Sequence, residues 1–90
     1  MPGVNYFKPQ GIPLKSLEEV ILTVSEYEAL NLCDLQGLTQ KQASEKMQVS
    51  QPTFNRILSS ARTKVSKAII NGYAIKITGG KYKLKDQSLQ

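Results

Sequence analysis

The sequence predicts a mainly α-helical fold: three helices, led in by an extended N-terminal arm and followed by a short β-hairpin. Three observations predict it. Helix-capping residues stand before amphipathic runs at Ser25, Thr39 and Ser50. The apolar positions inside those runs repeat at helical spacing. After Gly72 the period falls from 3.6 to 2. A chain of 90 residues fits one domain with one modest core. Its parts are an arm over 1–24, a three-helix segment over 25–72, and a hairpin with a tail over 73–90.

The arm opens with "MPGVNYFKPQGIPLK", where Pro2, Pro9 and Pro13 exclude a helix interior. Tyr6, Phe7 and Ile12 are its candidate anchors. The next stretch, "SLEEVILTV", fits either a helical turn or a short strand. Ser25 with Glu28 and Thr39 with Gln42 each have capping-box spacing. Ser50 is a third N-cap, with Pro52 tolerated in the first turn, where N–H groups lack helical partners. An apolar residue precedes each cap and another stands at N4: Val24 with Ala29, Leu38 with Ala43, Val49 with Phe54. Such pairs staple the entry of a helix. Gly37 and the Asn71-Gly72 pair supply C-caps. The helices therefore fall near 26–36, 40–47 and 51–70, the last about 30 Å long.

In the third helix Phe54, Ile57, Leu58, Ala61, Val65, Ala68 and Ile69 form one apolar stripe. That stripe is longer than the second helix covers, so its far end faces the first helix, the arm or a second subunit. "AIKIT-GG-KYKLK" reads as two strands with Ile77 opposite Tyr82 and Ile75 opposite Leu84. Lys76 then lies opposite Lys83, which is unfavourable unless the lysines splay into water or an anion sits nearby. Tyr73 and Tyr82 read as packing anchors, and Cys33 as a small hydrophobe beside Ala29, Leu30 and Leu32.

A second helix and a longer third helix joined by a tight turn make a helix-turn-helix pattern. Ala43, Met47, Val49, Phe54 and Ile57 should lock the two together, with the small Ser44 at their closest approach. This leaves Gln51, Pro52, Asn55, Arg56 and Ser59 on the outer face of the third helix. Those residue types suit a DNA major groove. Arg56 can grip guanine O6 and N7, Asn55 or Gln51 can pair with adenine N6 and N7, and Pro52 can touch a thymine methyl. Lys41, Lys46, Arg62, Lys64 and Lys67 are the candidate phosphate contacts, which position a protein without reading sequence.

Charge and composition narrow the classes further. Residues 1–45 carry three Lys against six acidic residues, whereas 46–90 carry seven Lys and two Arg against one Asp. The net charge is +5, and its bias to one half points to a polyanionic partner. The absence of histidine removes the commonest general base and zinc ligand. One cysteine cannot build a Cys-rich metal site, and no Walker-type loop occurs. The reading is therefore not an enzyme, with no cofactor and no metal. No apolar run approaches the roughly 18 residues of a membrane span. No signal peptide is read, and the lone Cys33 agrees with a reducing cytoplasm.

The segment "SEYEALNLCDLQGLTQKQASEKMQVSQPTFNRILSSARTKV" is similar to the region-4 helix-turn-helix of sigma-70-class factors. From "NYFKPQGIPL" to "NGYAIKITGG" the chain resembles a small family of uncharacterised prokaryotic proteins predicted to bind DNA. The resemblance implies a sigma-region-4-like fold and a role in transcription. Gln48 departs from that pattern, standing where the tight turn usually has Gly, and Ser44 stands where Ala is usual.

The expectation is a sequence-specific binder of double-stranded DNA that regulates transcription, cytoplasmic and homodimeric or higher. An oligomer is expected because the hairpin and the far end of the third helix have unassigned apolar faces. If six basic residues meet phosphates, log K falls against log salt with a slope of about −5. Two alternatives stay open: a protein-interaction module of the transcription machinery, and an RNA-binding role for the lysine-rich hairpin.

Overall fold

Helices pack against one face of a small three-stranded sheet. The computed structural model describes residues 6–13 and 18–78. Strand β1 is Tyr6–Phe7 and β2 is Glu19–Thr23. Helix α1 spans Val24–Leu30 and widens into a π-helical turn over Asn31–Leu35. Helix α2 is Gln40–Met47, α3 is Gln51–Asn71 and β3 is Ala74–Thr78.

The segment that fits either helix or strand is resolved as β2. Its burial alternates, with Val20 and Leu22 inside and Glu19, Ile21 and Thr23 outside, as a half-covered strand requires. β3 lies between β2 and β1. It runs parallel to β2, with Val20 beside Ile75 and Leu22 beside Ile77. It runs antiparallel to β1, with Tyr6 beside Lys76 and Phe7 beside Ile75. The arm and the C-terminal segment thus meet in one sheet. This departs from the expected pairing of Ile75 with Leu84 and of Lys76 with Lys83. At Ile75 and Lys76 both edges of β3 are taken, by β2 and β1. The expected partners Tyr82, Lys83 and Leu84 lie outside the described residues.

The first helix starts earlier than expected. Thr23, not Ser25, is the N-cap: its hydroxyl accepts from the Glu26 N–H at 3.1 Å, and the Glu26 carboxylate accepts from the Thr23 N–H at 2.9 Å. Thr-x-x-Glu and Ser-x-x-Glu overlap here, and β2 decides between them because it delivers extended backbone to Thr23. With the cap at Thr23, the apolar N′ and N4 positions fall to Leu22 and Tyr27 in place of Val24 and Ala29. The other two starts stand where the sequence puts them. Thr39 and Gln42 exchange bonds of 3.0 and 2.9 Å, and the Ser50 hydroxyl accepts from the Thr53 N–H at 3.2 Å.

Two joined cores hold the elements. Ala29, Leu32, Ala43, Phe54 and Leu58 fill the space among the helices, with Met47, Val49, Ile57 and Cys33 packed around them. Leu22, Ala61 and Ile77 fill the space between α3 and the sheet, with Val65 and Ile75 beside them. Leu30 packs on both. This answers where the long stripe of α3 goes: its first half faces α1 and α2, and its second half covers the sheet. Ile69 is the exception, 73 % exposed. Gly72 closes α3 at φ +72°, where a Cβ would be strained.

Candidate nucleic-acid interface

The α2–α3 corner is built from local chemistry. Gln48 caps α2 in the left-handed region, at φ 61° and ψ 43°. Its N–H and that of Val49 return to the last carbonyls of α2, the latter reaching Ser44 at 3.1 Å. Two residues later Ser50 begins α3. The chain keeps the tight-turn backbone without the glycine, at a cost of about 1–2 kcal/mol. Ser44 is buried in the corner, and its hydroxyl donates to the Lys41 carbonyl at 2.9 Å. Phe54 and Leu58 are fully buried beneath.

With that side of α3 anchored, the opposite side stands in water. Gln51, Pro52, Asn55, Arg56 and Ser59 are all exposed, on the first three turns of one helix. Arg56 makes one long contact, 3.4 Å to the Thr53 hydroxyl. Its remaining N–H groups have no acceptor among the described residues.

The cations divide into two sets. Lys46 and Lys67 are exposed and form no ion pair among the described residues. Lys41 is exposed, 3.2 Å from Glu45 one turn on, a pair worth little in water. The other two are already engaged. Arg62 grips Asp34 with two bonds of 2.6 and 3.1 Å. Lys64 donates to Glu26 at 2.9 Å. Their charge is offset within the chain, which leaves Lys41, Lys46 and Lys67 as the candidates for phosphate contact from the sequence list.

Glu26 is the centre of the second set. It is 7 % exposed, and its carboxylate accepts from the Thr23 N–H, the Ser60 hydroxyl at 2.6 Å and Lys64. Burial pushes its carboxyl upward, but the Ser60, Thr23 and Lys64 bonds outweigh that and hold it below the ordinary 4.5. The Arg62 bonds likewise hold Asp34 down. Burial raises the Cys33 thiol, in keeping with a packing role.

Residues 1–85 match the family model described as protein of unknown function DUF134. The chain belongs to that family. Its curated relatives include UPF0251 proteins of several bacteria. That of Caldanaerobacter subterraneus subsp. tengcongensis is 54 % identical over 89 residues, 99 % of this chain and 75 % of the relative. That of Pelotomaculum thermopropionicum is 53 % identical over 89 residues, 99 % of this chain and 67 % of the relative. That of Moorella thermoacetica is 55 % identical over 84 residues, 93 % of this chain and 56 % of the relative. No solved structure matches the chain. Among the described residues of this DUF134 protein no His, Cys, Asp and Glu side chains cluster as a metal site, and no helix is long and apolar enough to cross a membrane.

Two features of this face were missed in the sequence. Thr63 and Ser66 extend the exposed row; helical spacing from Ser59 could have found them. A groove of about 730 Å³ also runs between α3 and β2, with Arg56, Ser59, Thr63 and Lys67 on one wall and Glu19 to Ile21 on the other. Its second wall depends on β2, which the sequence did not distinguish from a helix.

Proposed function

We propose that this chain binds double-stranded DNA sequence-specifically through α2 and α3, as a sigma-region-4-like helix-turn-helix, and that it acts in transcription regulation. One observation carries the reading: Gln51, Pro52, Asn55, Arg56 and Ser59 stand exposed together at the front of α3 while Phe54 and Leu58 fix that helix from behind. A row of this kind meets base edges, with the Arg56 fork suited to guanine and the Asn55 amide to adenine. The N-terminal turns of α2 and α3 present N–H groups that favour phosphate. Lys46 and Lys67 flank the row with free charge. In keeping with this role, the reading places no catalysis and no cofactor on the chain and expects a cytoplasmic setting.

Competition among duplexes of different sequence tests it, comparing the native chain with N55A and R56A. Both substitutions are at exposed positions, so folding is retained. The expected result is selective binding by the native chain and flattened preference in the variants. Unchanged duplex affinity in both variants would turn the face over to a protein partner.

A further inference from the structure

The described surface carries one broad apolar face that the α3 front does not use. Between α1, α3 and the sheet lies a groove of about 460 Å³, floored by Leu22, Val65, Ile75 and Ile77. Tyr27, Leu35 and Phe7 stand on its rim, and Phe7 also walls a smaller hollow that reaches Ile69. Tyr27 is 39 % exposed, Phe7 57 %, Ile69 73 % and Leu35 80 %. Taking about 200 Å² for a fully exposed side chain of this size, they leave on the order of 500 Å² per copy in water, against roughly 800 Å² per partner in a standard interface. Of the groove floor, the half-buried Val65 and Ile75 add to that area, while Leu22 and Ile77 are already buried.

We propose that this face pairs with the same face of a second copy, forming a two-fold dimer. Three observations select that occupant. The face holds both a groove and projecting apolar side chains, and an isologous contact needs both on one patch. The acid and base at its rim are paired within the chain, Asp34 with Arg62 at 2.6 Å, and Lys8, beside the smaller hollow, donates to the Ile12 carbonyl at 2.9 Å. The α3 front, with Arg56 and Lys67 free on a chain of net charge +5, would repel a copy. The third observation is distance and rests on the DNA reading. Arg56 and Ile69 lie thirteen residues apart on α3, about 20 Å along the helix. An axis near Ile69 sets the two Arg56 side chains up to about 40 Å apart, a span that includes the roughly 34 Å between half-sites.

Sedimentation equilibrium tests the face directly, with duplex binding measured in parallel. The native chain should sediment at twice the 10.0 kDa of one copy. The L35E/I69E double variant should sediment at one copy and bind a palindromic duplex at least tenfold more weakly, while still binding a single half-site. I21E, on the opposite face of the sheet, should remain dimeric. Circular dichroism melts separate dissociation from unfolding. A native chain that stays monomeric at every concentration overturns the proposal and leaves the groove to a small apolar molecule or to another segment of the chain. If that monomer still selects duplex sequences, the DNA reading stands without the dimer. A dimer broken by L35E/I69E that binds no duplex supports the face and sinks the DNA reading instead.

Discussion

Lys64 Nζ lies 2.9 Å from Glu26 Oε1, a bond between residues 38 apart in sequence. Glu26 caps the first turn of α1 through Thr23, and Lys64 and Ser60 hold it from α3. One carboxylate therefore fixes the helix start, the β2–α1 corner and the angle at which α3 crosses both. Replacing it by Gln should destabilise the chain by about 2–3 kcal/mol, below the full cost of breaking a buried pair because Lys64 is a third exposed. S60A should cost about 1 kcal/mol. Urea unfolding of the two variants measures both.

The same carboxylate makes stability depend on pH. Its folded pKa is held below the ordinary 4.5. The contribution is therefore fully present above that value and is lost as pH falls through the folded pKa. The stability gap between the native chain and E26Q should be constant near neutral pH and shrink in acid below about pH 4.5. Thermal melts across that range read it, and a gap that widens in acid would reverse the assignment.

Gln48 holds a left-handed backbone with a side chain. Q48G should therefore stabilise the chain, by up to about 1 kcal/mol after the added freedom of glycine in the unfolded state is set against the relieved strain. Its denaturant midpoint should rise with no change in slope.

The division of the cations predicts the salt dependence. With Arg62 and Lys64 engaged inside the chain, Lys41, Lys46 and Lys67 are the cations left to meet phosphate on the proposed face. The slope of log K against log salt should be nearer −3 than the about −5 of six contacts. K67A should lower affinity equally for all duplexes and reduce the slope by about 1, whereas R56A should cost about 1–3 kcal/mol of discrimination at one base position.

What was legible in the sequence was what chemistry fixes within a turn or two. Thr39, Ser50, Gly72 and the buried row from Phe54 to Ala68 all stand as their spacing indicates, because caps and stripes act over three or four residues. Gln48 stood out only against the resembled family's pattern, which usually has Gly at that turn. The misreadings come from distant partners. Thr23 displaces Ser25 as the cap because β2, paired with a strand more than fifty residues later, ends there. β3 takes β1 rather than a hairpin partner on its second edge at Ile75 and Lys76. Arg62 and Lys64 read as free cations until the fold brings Asp34 and Glu26 to them across 28 and 38 residues. For the candidate site, this means the exposed row on α3 was legible and its electrostatic surroundings were not.

The most direct measurement of the central claim is selection from a random duplex pool at physiological salt, run in parallel on the native chain and R56A. The account predicts a defined motif for the native chain, with a guanine preference that R56A relaxes at one position of each half-site. Recovery of unenriched sequences by both proteins, or of one unaltered motif by both, would contradict it.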